Sequence, residues 1–171
     1  MDIKKMVLAA LFAALTAIGA FLTVPLEPVP FTFQVFFVLL AGTLLGTRYG
    51  VLSQATYIML GMVAPVYSGG ASGPGVLFGP RGGYLFGFVV AAYIVGLITR
   101  GGHQNEKVLI RYFIAMLAGV VTIHLGGIIS LMLVLEFNFS QALMTGAVFF
   151  LLDILKACLA APLALKLRKY L

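Results

Sequence analysis

Phe149-Phe-Leu-Leu-Asp-Ile-Leu-Lys-Ala-Cys-Leu-Ala-Ala-Pro162 sets Asp153 and Lys156 inside a stretch that is otherwise apolar. Three residues apart on a helix, the two side chains share one face. An ionisable group at membrane depth costs roughly 2.5 to 3.5 kcal/mol even on the lenient insertion scale. Such groups persist only where they face a bundle interior, a partner or a polar ligand. The stretch therefore reads as a membrane helix with one polar inner face, and that face is the first place to look for function. The structural alternative is an ion pair that fastens the bundle, although buried pairs stabilise little once desolvation is counted.

Composition extends this reading to the whole chain. Of its 171 residues, 62% are hydrophobic and 9% charged, with a mean hydropathy of +1.13; soluble domains carry about 25% charged residues. Too little polar surface remains to cover a water-facing globule, and the length suits a single transmembrane domain over 1–171. Matching uncharged apolar runs to the ~20 residues that a bilayer core requires predicts six spans, near 6–24, 31–47, 49–67, 82–99, 113–135 and 141–165. The expectation is an all-α integral membrane protein, a six-transmembrane-helix bundle. The first run, behind Lys4 and Lys5, competes with a signal peptide, but it is 19 residues long, against the usual ~7–15 of a signal core. With both termini cytoplasmic, the inside collects nine Lys and Arg and the outer connections only Arg81. That is a positive-inside distribution. The +6 net charge then follows from topology and the anionic inner leaflet, not from nucleic acid. The lone Cys158 excludes an internal disulfide and a multi-cysteine metal site, and it reads as a buried packing residue.

The outer connections carry the unusual chemistry. In Val24-Pro-Leu-Glu-Pro-Val-Pro-Phe-Thr-Phe-Gln34, three prolines within six residues forbid a continuous helix and impose an extended course. The glycine-rich run from Tyr67 to Tyr84 is able to fold over a pocket, its bland alternative being a flexible turn. The polar candidates are Asp153, Lys156, Arg81, Gln34, Thr32 and Tyr84, with Phe31, Phe33, Phe78 and Tyr67 as apolar walls. A carboxylate accepts N–H donors, while Lys and Arg answer an anion. The ligand these groups imply is small and mainly apolar, with amide-like donors at one end and an anion at the other. His124, alone on an apolar span, reads as a hydrogen-bonded packing residue, and His103 in an inner loop suggests nothing.

Small residues recur every four positions at Ala9, Ala13 and Ala17, at Gly42, Gly46 and Gly50, and at Gly79, Gly83, Gly87 and Ala91. Such stripes let helices approach closely in lipid. Doubled by Ala10 and Ala14, the first stripe forms a smooth face suited to docking a separate membrane protein. The phosphate-loop, zinc-protease, nucleophile-elbow and Cys-x-x-Cys patterns are all missing. An intramembrane enzyme using Asp153 and Lys156 as an acid–base couple lacks any second catalytic group. A passive channel is disfavoured by a single buried pair of opposite charges.

In its ordered motifs the chain resembles the BioY family, the biotin-specific substrate-binding (S) components of energy-coupling factor (ECF) transporters. The likeness is carried by Pro28-Val-Pro-Phe-Thr-Phe-Gln34, Leu39-Leu-Ala-Gly-Thr-Leu-Leu-Gly46, Tyr57-Ile-Met-Leu-Gly61 with Pro65-Val66, Gly79-Pro-Arg-Gly-Gly-Tyr-Leu-Phe-Gly-Phe88 and Asp153-Ile-Leu-Lys156. It implies a six-helix bundle in a prokaryotic cell membrane, holding biotin near the outer side under the two outer loops. Asp153 is implied to meet the ureido N–H groups and Lys156 the ureido oxygen or Asp153, with Tyr84 and Gln34 also in the pocket. Arg81 departs from the threonine expected at its position. The resemblance further implies a transmembrane coupling (T) subunit and two ATPases as partners, docked on Ala9, Ala13 and Ala17, with ATP used only by those partners and no cofactor or metal in this chain. An S component for another vitamin, thiamine or riboflavin, is the neighbouring alternative.

Overall fold

The computed structural model describes residues 2–101 and 107–170; His103 lies outside them. The chain is mostly helical. Helix α1 (Ile3–Phe21) starts at Asp2, whose side chain accepts a hydrogen bond from the Lys5 backbone N–H. The prolines then act as expected: in place of a helix, strands β1 (Thr23–Val24) and β2 (Phe31–Thr32) form a short antiparallel hairpin. Thr23 pairs with Thr32 and Val24 with Phe31. The Phe33 N–H donates back to the carbonyls of Gly19 and Leu22, which fixes the hairpin to the end of α1.

Helix α2 (Gln34–Val63) is two arms joined at Gly46, whose φ of 73° and ψ of −177° leave the helical region. Only glycine adopts that conformation without strain. The chain reverses there. Gln34 Nε2 donates to the Tyr57 hydroxyl at 2.6 Å, whereas a straight helix would hold the two residues about 35 Å apart. Gly50 comes back against Gly42, where an added Cβ would lie 3.1 Å from the Gly42 Cα. The stripe Gly42, Gly46 and Gly50 is thus a hinge between two contact points.

After α2 come a single 3-10 turn (Ser68–Gly70) and the short helix α3 (Pro74–Leu77). Helix α4 (Gly82–Ile98) packs on α5 (Val108–Val134), with Gly83 directly against Gly126 and Gly87 against Ile123. Helix α6 (Phe139–Leu167) opens with a reciprocal cap, Asn138 accepting from the Gln141 N–H and Gln141 accepting from the Asn138 N–H, both at 2.9 Å. A last 3-10 turn covers Arg168–Tyr170. Among the described residues, α1, α2, α5 and α6 are long and apolar enough to cross a membrane, and α4 is a shorter apolar helix. Their outward faces carry Val7, Leu11, Ile114, Ile129, Leu151 and Leu155, all exposed, a surface that hydrocarbon solvates and water does not.

Two expectations are corrected. Ala9, Ala13 and Ala17 are 2%, 6% and 9% exposed, so the smooth stripe is consumed inside the chain and is not open for a partner. Its small side chains let α1 lie close to its neighbours, and only Ala10 and Ala14 remain on the outside. Cys158 is exposed, not buried, because it falls on the outward face of α6 with Leu151 and Leu155.

Candidate functional site

Asp153 and Lys156 lie one turn apart on the inward face of α6, each 4% exposed. Lys156 Nζ donates to Asp153 Oδ1 and to the Thr32 carbonyl, both at 2.6 Å. The second bond ties α6 to β2 across the bundle, and it exists because the proline-rich hairpin leaves that carbonyl without a helical partner. The ammonium also sits 3.9 Å from the centroid of the Phe31 ring, an arrangement that favours a cation. Phe31 in turn stacks against Phe149 of α6, with centroids 6.4 Å apart.

The other oxygen of Asp153 is engaged as well. His124 Nε2 of α5 lies 3.0 Å from Oδ2. A carboxylate only accepts, so Nε2 carries the hydrogen in this pair and a neutral imidazole keeps Nδ1 as an acceptor. The expected hydrogen-bonded histidine is therefore found, but it also lines the cavity. A general signal for it was available: any ionisable group at membrane depth is a site candidate.

Next to this cluster stands Tyr84 of α4. Its ring lies so close to Gly127 that no Cβ fits there, and it meets the His124 ring edge-on with centroids 5.8 Å apart. The Tyr84 hydroxyl is buried and has no hydrogen-bond partner among the described residues, a costly arrangement unless a ligand or water completes it. On the opposite wall, Thr32 Oγ1 donates to Gln34 Oε1 at 2.9 Å, Gln34 Nε2 to Tyr57, and the Tyr57 hydroxyl to the Val66 carbonyl at 3.2 Å. This chain of bonds links the hairpin to the glycine-rich loop. Tyr67 closes it from above, donating to the Ile58 carbonyl at 2.7 Å.

These groups enclose a cavity of about 50 Å³, several times the space that one water centre needs. Phe31, Thr32, Gln34, Arg81, Tyr84, Asp153 and Lys156 all line it, as does Tyr67. Phe78 does not: it is 72% exposed and stands outside the wall. Residues unforeseen at the site include Val29, Ser68, Phe88, His124 and Phe149. Arg81 reaches the Ser68 carbonyl at 3.4 Å from the loop side. Ser130 of α5 holds that loop by donating to the Pro80 carbonyl at 2.8 Å. The result is a largely apolar chamber with a cationic rim and a His–Asp–Lys cluster at its base.

Comparison with known proteins agrees with this architecture. A biotin transporter BioY of Thermotoga maritima is 39% identical over 168 residues, 97% of this chain and 96% of that protein. A probable biotin transporter BioY of Pyrococcus horikoshii is 39% identical over 170 residues, 98% of each chain. Among solved structures, the crystal structure of the S-component for biotin from an ECF-type ABC transporter matches with a TM-score of 0.90 at 28% identity, covering 98% of this chain and 92% of that one. Transporter relatives and apolar helices together make this a multi-pass membrane protein. The family model described as the BioY family matches residues 1–171, and with that full-length match the chain belongs to the BioY family.

Proposed function

We propose that this chain binds biotin in the chamber above Asp153 and acts as the substrate-binding subunit for its uptake by an ECF-type transporter. The observation that carries the reading is the buried His124–Asp153–Lys156 cluster beside the unpartnered Tyr84 hydroxyl, within a fold that matches an S-component for biotin. Asp153 receives the ureido N–H groups, Lys156 answers the ureido oxygen or restrains Asp153, and Tyr84 and Gln34 complete the polar contacts. Phe31 and Phe149 flank the apolar bicycle, and Arg81 at the rim meets the carboxylate.

The same proposal covers the assembly. The chain is a single transmembrane domain of six spans, the two arms of α2 counting separately, with both termini cytoplasmic in a prokaryotic cell membrane. A transmembrane coupling (T) subunit and two ATPases supply the energy, and this chain needs no cofactor, metal or nucleotide of its own. The exposed small residues Ala10 and Ala14 offer those partners the smooth approach on α1. Equilibrium binding of labelled biotin to the detergent-purified protein tests the reading. Saturable binding near one per chain, displaced by unlabelled biotin and not by thiamine or riboflavin, is expected. Displacement by another vitamin alone would move the assignment to that vitamin, and turnover of a bound substrate would revive the acid–base alternative.

A further inference from the structure

The N-terminus of α1, the reversal at Gly46, the end of α4 and the end of α6 meet at the opposite end of the bundle from the biotin chamber. Two adjoining clefts of about 450 and 410 Å³ open there. Their rims carry Lys4, Lys5, Arg48, Arg100, Arg168 and Lys169, against one carboxylate, Asp2, among the described lining residues. Lys5 and Arg168 line both clefts. The floor of the larger one is apolar, built from Leu8, Leu44, Leu45, Val108 and Leu165.

Arg168 is held in place: Nη1 donates to the Tyr112 hydroxyl at 2.5 Å, and the guanidinium sits 5.6 Å from the centroid of that fully buried ring. Lys5 is only loosely engaged with Asp2, at 3.8 Å with both side chains half exposed, a pair that binds weakly. A solvated charged face needs no leucine floor, and a packing groove needs no cationic rim. The two together match a molecule that carries a phosphate on an acyl chain: cations answer the phosphate, and the leucines take the hydrocarbon.

We infer that these clefts bind an anionic phospholipid, its phosphate between Lys5 and Arg168 and its acyl chain along Leu8, Leu44 and Leu165. Because the site joins α1, α2 and α6, an occupied site clamps both ends of the chain to the hinge at Gly46. The test uses the full chain in neutral detergent, with phosphatidylglycerol, phosphatidylcholine of the same acyl chains, or inorganic phosphate added. Native mass spectrometry reads retained lipid, and thermal unfolding reads the clamp. Phosphatidylglycerol is expected to be retained and to raise the Tm, with phosphatidylcholine doing neither. The Lys5→Gln/Arg168→Gln variant is expected to lower retention on the order of 30-fold, from about 1 kcal/mol per cation. Since Arg168 also bonds Tyr112, Lys5→Gln/Lys169→Gln provides a second variant that leaves that bond in place. Lys107→Gln, at a cation outside both clefts, should change nothing. Equal retention of the two lipids, or wild-type retention by both double variants, would overturn the site. A Tm shift reproduced in full by inorganic phosphate would overturn the lipid assignment, leaving a free-phosphate site.

Discussion

Replacing Asp153 by Asn and Lys156 by Met, singly and together, separates what the buried pair does for stability from what it does for the ligand. At 2.6 Å and an effective dielectric of about 20, the attraction is roughly 6 kcal/mol. Desolvating the two ions costs several kcal/mol each, so as a fastener the pair roughly breaks even. Removing one member is different, because the other stays buried without its counter-charge. Asp153→Asn also presents one acceptor to two donors, Lys156 Nζ and His124 Nε2. Each single variant should lose about 3–5 kcal/mol of stability. The double variant, with both charges gone, should recover more than half of the summed loss while still failing to bind biotin. Losing one charge-assisted contact costs about 1.5–3 kcal/mol, or roughly 10- to 150-fold in affinity. Thermal unfolding of ligand-free protein and equilibrium biotin binding read the two quantities. If the double variant loses the full sum of the single losses, the charges do not interact energetically; if any variant binds biotin like wild type, the cluster is structural.

Tyr84→Phe removes a buried hydroxyl without a partner, so ligand-free protein should be no less stable, and up to about 1 kcal/mol more so, while biotin affinity falls; a lower ligand-free Tm would show that the hydroxyl is already satisfied. Gly46→Ala meets open space, so its cost is the backbone alone, about 1–3 kcal/mol for a non-glycine residue in that region, and an unchanged Tm would refute the hinge. Gly127→Ala drives a methyl into the Tyr84 ring and should cost about 1–3 kcal/mol by overpacking as well as biotin affinity. In a Tyr84→Ala background, where the ring is gone, Gly127→Ala should add no further loss of stability, and a persistent loss there would place the strain elsewhere.

The helical architecture was legible because apolar runs of bilayer length have few other uses, and the extended break after α1 because Pro25, Pro28 and Pro30 exclude a helix; the pairing of Thr23–Val24 with Phe31–Thr32, inside the expected second span, was not. The expected spans 31–47 and 49–67 meet at residue 48, and α2 leaves the helical region at Gly46. A one-residue hinge hardly interrupts hydropathy, so the exact position was not readable. Neighbours were harder to read than elements. Spacing shows that Ala9, Ala13 and Ala17 make a flat face, but what covers it depends on where α2 packs, and α2 takes that face for the chain itself. Cys158 failed for the same reason, since an apolar run does not say which of its sides meets lipid.

At the site, Asp153 and Lys156 were readable because their burial demands a reason, whereas the partnership with His124 spans 29 residues and two helices and depends on a register that hydropathy does not encode. Phe78 was misplaced because proximity in sequence to Gly79 and Arg81 says nothing about which side of a short loop helix faces in. The assembled geometry then limits what the chamber can still bind. A carboxylate offers about four lone-pair sites, of which Lys156 and His124 take one each, so Asp153 keeps acceptor capacity for two further N–H groups. Lys156 has spent two of its three donors on Asp153 and Thr32. Among the described residues the Tyr84 hydroxyl is unspent, and Arg81 stands at the rim with one long contact, to the Ser68 carbonyl. Two N–H donors at the base, an apolar body between phenylalanines and an anion at the rim would use this remaining capacity, which is the arrangement proposed above for a ureido ring carrying an acid side chain.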